Sequence, residues 1–213
     1  MFESPTLTHI ASSSAALLAV GLTVMLAAPA SAAPTIGQPA PAFTAKDGDG
    51  KTRSLAEFKG KTVVLEWTNA GCPYVQKHYG AGNMQAVQKS AAQDGVVWLT
   101  LISSAPGKQG YVSPAEAKTW KASTGAGSTA LLLDPGGQVG RAYEAKTTPH
   151  MYIVDKTGKL AYMGGIDDKP VSDPSSLKGA KNYVTAALAD LKAGRAVATP
   201  VSKPYGCTVK YAE

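Results

Sequence analysis

The clearest chemical signal in this sequence of 213 residues is a cysteine followed directly by a proline. An apolar, β-branched run ends at Trp67, a short polar loop follows, and Cys72 and Pro73 then begin a segment that could be helical. This pattern predicts a buried strand, a loop and a helix with proline in its first turn. At such a position, unpaired backbone N–H groups and the helix dipole favour the thiolate and lower the pKa of Cys72. We therefore interpret Cys72 as a nucleophile rather than a small buried apolar residue.

The second cysteine of a Cys-x-x-Cys motif is missing, because Val75 occupies its position. The chain has one other cysteine, Cys207, in a proline-containing stretch near the C-terminus. About a dozen residues separate it from the predicted end of the last helix at Gly194, and an extended segment of that length spans up to roughly 40 Å. Cys72 therefore acts alone or pairs with Cys207. That pair would be either a working redox couple or a permanent disulfide worth roughly 4–5 kcal/mol in the chain-entropy model.

Residues 1–32 have the features of a secretory signal peptide. An almost wholly apolar run from Ala15 to Ala28 precedes Ala30-Ser31-Ala32, which matches the small-x-small cleavage pattern. The alternative is a membrane anchor, but the run is shorter than the about 20 residues that a spanning helix needs. We therefore expect a periplasmic or secreted protein without a stable membrane anchor, in a compartment that permits disulfides.

The composition indicates a globular domain and excludes some classes of partner. The chain is 44% hydrophobic and 17% charged, which is typical of a folded protein with a core. Its formal net charge is +6, yet the basic residues are spread along the chain without a continuous run. We interpret this charge as a solvated surface and expect no nucleic-acid partner. We also predict no cofactor and no resident metal.

The remaining sequence alternates between predicted strands and helices. Strands are predicted over residues 43–45, 62–68, 96–103 and 129–134, with a hairpin over 150–165. Helices are predicted over 82–95, 113–124, 138–145 and 182–194, and Ser113, Pro114 and Glu116 form a capping-box pattern at the start of the second of them. This order predicts an α/β sandwich around a mixed sheet.

Two stretches resemble the thioredoxin superfamily. "SLAEFKGKTVVLEWTNAGCPYV" is similar to the segment that leads into the active-site cysteine, and "YEAKTTPHMYIVDKTGKLAYMGG" is similar to the second signature, a Thr-Pro followed by a hairpin. The resemblance is to the exported TlpA/ResA-like and the peroxiredoxin-like (AhpC/TSA-type redoxin) branches. It implies an α/β thioredoxin-like fold, with a central mixed sheet flanked by helices over residues 33–198. Residues 199–213 would form a C-terminal tail that carries Cys207.

The resemblance also implies roles for individual residues. Cys72 takes the place of the nucleophile, and Pro149 that of the cis-proline packed against it. Thr148 takes the place of the residue whose backbone pairs with a bound peptide or thiol, and Pro73 belongs to the same substrate-binding surface. Glu66 lies near the position of a buried, proton-relaying aspartate, so it is either a buried base or the exposed end of a strand.

Other residues depart from the family patterns. Peroxiredoxins place a threonine three residues before the reactive cysteine, where this chain has Asn69. His78 and His150 are interpreted as surface histidines. The alternative interpretation, a copper site built from cysteine and histidine, has few ligands at metal-binding spacing.

These observations together predict an exported thiol–disulfide oxidoreductase or a peroxiredoxin-like antioxidant enzyme. Cys72 is the predicted nucleophile and Cys207 the candidate resolving cysteine. The substrate would be a thiol, disulfide or peroxide, and a reducing protein would be the partner. The alternative is a non-catalytic thiol- or copper-binding module that contains a structural disulfide.

The signal-peptide pattern makes a direct prediction about the mature protein. Cleavage after Ala32 would leave Ala33 as the first residue. Amino-terminal sequencing of the protein purified from a cell-envelope or culture-supernatant fraction should therefore begin at or near Ala33. A protein that still begins at Met1 and sediments with membranes would contradict the prediction of export.

Overall fold

A seven-stranded mixed sheet forms the centre of the structure, a computed structural model that describes residues 1–4 and 33–213. Most of the predicted signal peptide therefore lies outside the described residues. The strands are β1 (Thr44–Asp47), β2 (Thr52–Ser54), β3 (Val63–Trp67), β4 (Val97–Ile102), β5 (Ala130–Leu133), β6 (Thr147–Thr148), β7 (His150–Val154), β8 (Leu160–Gly164) and β9 (Cys207–Thr208). The helices are α1 (Pro73–Gly80), α2 (Asn83–Gln93), α3 (Pro114–Thr124), α4 (Gln138–Ala142) and α5 (Tyr183–Lys192), with 3-10 turns at Leu55–Phe58 and Pro174–Leu177.

The strands of the main sheet follow the order β2-β1-β5-β4-β3-β7-β8. The neighbouring strands β3, β4 and β5 are parallel, whereas β7 pairs antiparallel with β3, and β8 antiparallel with β7. This is the mixed sheet flanked by helices that the sequence predicts. The strands β6 and β9 form a separate antiparallel pair next to the carboxyl end of β3.

The central strands are buried on both faces. Every residue of β3, β4 and β7 is buried, which explains their continuous apolar and β-branched character. One face of the sheet contributes Leu65, Trp67 and Leu99 to one core cluster. The other face contributes Val64 and Trp98 to a second cluster, which also contains Cys72 and apolar residues of α1, α2 and α5.

Local sequence signals explain several element boundaries. The capping box of α3 is present: Ser113 Oγ accepts a hydrogen bond from the Glu116 N–H, and the Glu116 carboxylate accepts one from the Ser113 N–H at 2.7 Å. The predicted strand over residues 43–45 is displaced, because β1 spans Thr44–Asp47 and pairs with β5. The structure adds the short strands β2, β6 and β9, which the sequence does not predict.

The C-terminal segment is bound along the domain surface instead of hanging free. Met163 of β8 exchanges backbone hydrogen bonds with this segment, donating to Pro200 O at 3.0 Å and accepting from the Ser202 N–H at 3.1 Å. Further along, the Val209 N–H donates to Lys146 O at 3.0 Å. The segment lacks periodicity because it contacts a different element every few residues. No helix among the described residues is long and apolar enough to cross a bilayer.

Candidate redox site

Cys72 lies at the junction between β3 and α1, as predicted. It is the N-cap residue of α1, and Pro73 occupies the first turn. The N–H groups of Val75 and Gln76 turn back toward Cys72 and donate to its carbonyl oxygen at 3.0 and 2.9 Å. The Cys72 side chain is fully buried, at 0% exposure. The nucleophile predicted from sequence is therefore at a helix N-terminus but shielded from solvent.

The loop before β7 packs against the sulfur. The Thr148–Pro149 peptide bond is cis, and both residues are buried. Cys72 Sγ lies 3.0 Å from Thr148 O, within hydrogen-bonding distance. The structure thus brings Cys72, Thr148 and Pro149 together.

Cys207 lies opposite Thr148 in the β6–β9 pair and reaches the same sulfur. Thr148 and Cys207 are direct partners in the antiparallel register. Cys207 packs against the core cluster that contains Cys72, and its thiol and backbone N–H lie close enough to Cys72 to favour the Cys72 thiolate. Gly206, with φ +131, allows this approach, because a Cβ at this position would collide with Thr148 O. Both cysteines are free thiols in this structure.

The two thiols differ in acidity. Burial raises the pKa of Cys72, but the neighbouring polar groups of Cys207, Thr148 and Val75 outweigh burial and hold that pKa below its usual range. Burial and the hydrogen bond to Cys72 raise the pKa of Cys207 to about 11. The first proton therefore leaves Cys72, and the resulting thiolate accepts a hydrogen bond from the Cys207 thiol.

Glu66 is buried, which excludes its interpretation as the exposed end of a strand. Its carboxylate accepts hydrogen bonds from four side chains: Trp98 Nε1 at 2.7 Å, Tyr79 OH at 2.9 Å, Gln88 Nε2 at 3.1 Å and Thr100 Oγ1 at 3.3 Å. Burial raises the pKa of Glu66 to about 7, although these donors favour its charged form. Within the described residues, Glu66 makes no hydrogen bond to either cysteine. It borders the core cluster that contains Cys72, through Tyr79 and Trp98.

A buried polar cluster that the sequence analysis missed joins α1 to the C-terminal segment. Tyr205 OH donates to Asp167 Oδ1 and lies 3.1 Å from His78 Nε2 and 3.3 Å from Lys77 Nζ. Lys77 and His78 are both buried, so the interpretation of His78 as a surface residue is wrong. Few apolar residues flank them in α1, and their partners are distant in sequence. No local signal could have revealed their burial.

His150 is also buried, which corrects the second surface interpretation. Its Nδ1 accepts a hydrogen bond from the Lys146 N–H at 3.2 Å and lies 3.2 Å from Tyr152 OH. Burial and the charge of Lys146 lower the pKa of His150 to about 3. The residue next to the cis-proline is therefore a neutral histidine packed against Tyr152, with ring centroids 4.5 Å apart.

The residue three positions before Cys72 does not contact its sulfur. Asn69 Oδ1 accepts from the Gly71 N–H at 2.9 Å, and the Asn69 and Gln109 side-chain amides bond to each other at 2.8 and 3.2 Å. Asn69 therefore connects the loop before α1 to the loop that contains Gln109 through hydrogen bonds. It provides no hydroxyl donor to the nucleophile, unlike the threonine that peroxiredoxins place there.

Both ring nitrogens of His78 and Nδ1 of His150 already have hydrogen-bonding partners within the protein. His78 Nδ1 accepts from Asn83 Nδ2 at 2.8 Å, and its Nε2 faces Tyr205 OH. Throughout residues 1–4 and 33–213, no group of three or more histidine, cysteine or acidic side chains is arranged to hold a metal ion. The donor set does not favour the copper-binding alternative.

Comparison with known proteins identifies the family. The model of the AhpC/TSA family matches residues 36–163, which include the β3–α1 junction and the cis-proline loop. The chain belongs to the AhpC/TSA family. Together with the observed sheet and helices, this match confirms the predicted membership of the thioredoxin superfamily and the thioredoxin-like fold.

Individual relatives of this AhpC/TSA protein are distant. Thiol-disulfide oxidoreductase ResA of Bacillus thuringiensis subsp. konkukian is 24% identical over 132 residues, which cover 59% of this chain and 66% of that protein. An uncharacterised conserved protein of Geobacillus kaustophilus has a crystal structure with TM-score 0.71 and 26% identity, covering 84% of this chain and 93% of that one. The proposed thiol:disulfide interchange protein DsbE of Chlorobium tepidum superposes with TM-score 0.53 at 22% identity, covering 73% and 99%.

The hydrogen bond from Cys207 should be measurable as an acidification of Cys72. Cys207→Ala removes the side-chain donor, whereas Cys207→Ser keeps a hydroxyl in its place, so the pair forms a matched comparison. We expect the pKa of Cys72 to be higher in the alanine variant, with about tenfold less thiolate at neutral pH. Thiolate ultraviolet absorbance against pH measures this. Equal titration curves for the two variants would show that Cys207 does not tune the nucleophile.

Proposed function

We propose that this protein is an exported thiol–disulfide oxidoreductase in which Cys72 is the nucleophile and Cys207 the resolving cysteine. The observation that carries the proposal is the proximity of the two cysteines: Cys207 pairs with Thr148, and the Thr148 carbonyl oxygen lies 3.0 Å from Cys72 Sγ. A thiolate with a lowered pKa and a neutral thiol beside it are the two species that a two-step exchange requires. Membership of the AhpC/TSA family and the likeness to ResA support the same chemistry.

The reaction follows from these protonation states. The Cys72 thiolate attacks one sulfur of a substrate disulfide, and the other substrate sulfur leaves as a thiolate. Cys207, once deprotonated, then attacks Cys72 Sγ and releases the first substrate sulfur. The substrate disulfide has gained two electrons, and the protein holds a Cys72–Cys207 disulfide. A dithiol partner protein would return the protein to its reduced form.

Substrate access requires movement of the C-terminal segment. Cys72 is fully buried beneath β9, and β9 is held to β6 by only two residue pairs. A substrate polypeptide that displaced β9 would meet the Thr148 backbone and the Cys72 sulfur together. Thr148, Pro149 and Pro73 would then form its binding surface, as the resemblance to the superfamily implies.

Peroxide is the second candidate oxidant, because the AhpC/TSA family match and the acidified thiol both suit it. In that reaction the Cys72 thiolate attacks one peroxide oxygen, the O–O bond breaks, and the other oxygen leaves as hydroxide. The resulting Cys72 sulfenic acid then condenses with the Cys207 thiol to form the disulfide and release water. Asn69 argues for a disulfide substrate instead, because its amide is bound to Gln109 and Gly71. Comparing the rates of Cys72 oxidation by a disulfide and by hydrogen peroxide distinguishes the two.

The division of roles between the cysteines can be tested with single substitutions. Cys207→Ser protein treated with oxidised glutathione should accumulate a stable Cys72–glutathione mixed disulfide, whereas the wild type should resolve it to an internal disulfide. Cys72→Ser protein should react at least about tenfold more slowly, because the pKa of Cys207 is high. Mass spectrometry of quenched samples measures both. If the Cys207→Ser variant cleared its mixed disulfide as fast as wild type, Cys207 would not be the resolving thiol.

We further propose that Glu66 is the buried base that exchanges protons during the reaction. Burial raises the pKa of its carboxyl to about 7, within the range where proton uptake is useful for catalysis. It lies on the face of the sheet that borders the cluster containing Cys72. Tyr79, seven residues after Cys72 in the chain, donates a hydrogen bond to it.

This role predicts a specific pH dependence. The rate of exchange in the wild type should change through an inflection near pH 7, and Glu66→Gln should abolish that inflection. Thr100→Val keeps the carboxylate but removes one donor to its charged form, so it should move the inflection to higher pH. Stopped-flow measurement of disulfide exchange against pH tests both variants. A wild-type pH profile in the Glu66→Gln protein would exclude Glu66 from the reaction.

A further inference from the structure

The same buried cluster binds the two segments that carry the two cysteines. Lys77 and His78 follow Cys72 in α1, and Tyr205 stands two residues before Cys207. Asp167, in the loop after β8, accepts a hydrogen bond from the Tyr205 hydroxyl. The nucleophile and its partner are therefore tied together through the Tyr205 hydroxyl as well as through the β6–β9 pair.

The Tyr205 hydroxyl is saturated with hydrogen bonds. Asn83 donates to His78 Nδ1, which leaves the ring proton on Nε2 to be donated to Tyr205 OH at 3.1 Å. Lys77 Nζ donates to the same oxygen at 3.3 Å. The hydroxyl accepts from both and donates to Asp167, so all of its hydrogen-bonding capacity is used.

The ring of Tyr205 is held as firmly as its hydroxyl. It packs against Tyr74 with centroids 5.8 Å apart, and Lys77 Nζ lies 5.0 Å from its centroid. The charges of Lys77 and Asp167 are paired inside the protein, with Nζ and Oδ2 4.0 Å apart. Burial lowers the pKa of His78 to about 4, so this histidine is neutral in the cluster. Releasing Tyr205 would leave several buried polar groups without a partner, which is costly.

We propose that Tyr205, held by Lys77, His78 and Asp167, is a positioning residue that keeps Cys207 within reach of Cys72 when β9 opens. The inference rests on the proposed function, because it assigns a role in the exchange between these two cysteines. With Tyr205 fixed, the Cα atom of Cys207 stays within about 7 Å of the Cα atom of Tyr205, whatever the rest of the segment does. The resolving thiol therefore keeps a high effective concentration while a substrate occupies the site.

The test is the equilibrium of the internal disulfide with glutathione. Oxidised glutathione takes two electrons from Cys72 and Cys207, which form a disulfide, and two molecules of reduced glutathione are released. Tyr205→Phe removes the hydroxyl but keeps the ring. We expect it to lower this equilibrium constant at least about tenfold, because the reduced form can then leave the docked position.

A matched control separates positioning from general stability. Tyr143→Phe deletes another buried hydroxyl, which donates to Pro41 O at 2.8 Å and lies outside the cluster. It should lower the melting temperature but leave the equilibrium constant within about threefold of wild type, since it acts equally on both redox forms. Lys77→Met removes one donor to the hydroxyl and should lower the constant about threefold. It serves as the second variant if Tyr205→Phe does not fold.

The outcomes distinguish the two proposals. If the wild type forms no reversible Cys72–Cys207 disulfide, both the proposed function and the positioning role of Tyr205 are wrong. If the wild type forms the disulfide but Tyr205→Phe and Lys77→Met have the same equilibrium constant as the wild type, only the positioning role of Tyr205 is wrong. An equal decrease of the equilibrium constant in Tyr143→Phe and Tyr205→Phe would also contradict the positioning role, because the effect would then come from lower general stability.

Discussion

The contact between Cys72 and Cys207 is the interaction on which the rest of the site depends. Burial alone would raise the pKa of the Cys72 thiol and make it inert. The thiol and N–H of Cys207, together with Thr148 and Val75, reverse that effect, and Cys207 lies beside the sulfur because β9 pairs with β6. Val75 stands where a Cys-x-x-Cys motif has its second cysteine, and Cys207 instead approaches Cys72 beside Thr148 of the cis-proline loop.

Such an arrangement must reconcile two requirements that conflict. A resolving cysteine must stay close to the nucleophile, yet a substrate must be able to reach the same sulfur. In the proposed exchange, different parts of the chain would meet these requirements: β9 pairs with β6 over two residues and is followed by a hydrogen bond from the Val209 N–H to Lys146 O, whereas Tyr205 is held by a buried polar cluster. Gly206 lies between them, in a conformation that suits glycine. β9 covers the sulfur, and Tyr205 would limit how far Cys207 can move when β9 opens.

Sequence patterns were sufficient for the parts of this fold that are encoded locally. The apolar run before Trp67, the Cys72-Pro73 junction and the capping box at Ser113 each contain their own signal, and the structure has all three features. The pairing of β6 with β9 has no such signal, because two-residue strands show no periodicity. The burial of Glu66 and His78 depends on side chains that are remote in sequence, so the local pattern of α1 and of the end of β3 does not indicate it. For the same reason, no local pattern predicts the hydrogen bonds that Tyr205 makes with Lys77, His78 and Asp167.

The most direct test of this account is a redox titration of the wild-type mature protein in glutathione buffers, with the disulfide mapped by mass spectrometry without reduction. The account predicts one two-electron transition, fully reversible, with a Cys72–Cys207 peptide in the oxidised form and a potential above about −300 mV. Two results would contradict it. Both thiols could remain free across the whole range, or the bond could persist far below that potential and behave as a permanent structural link.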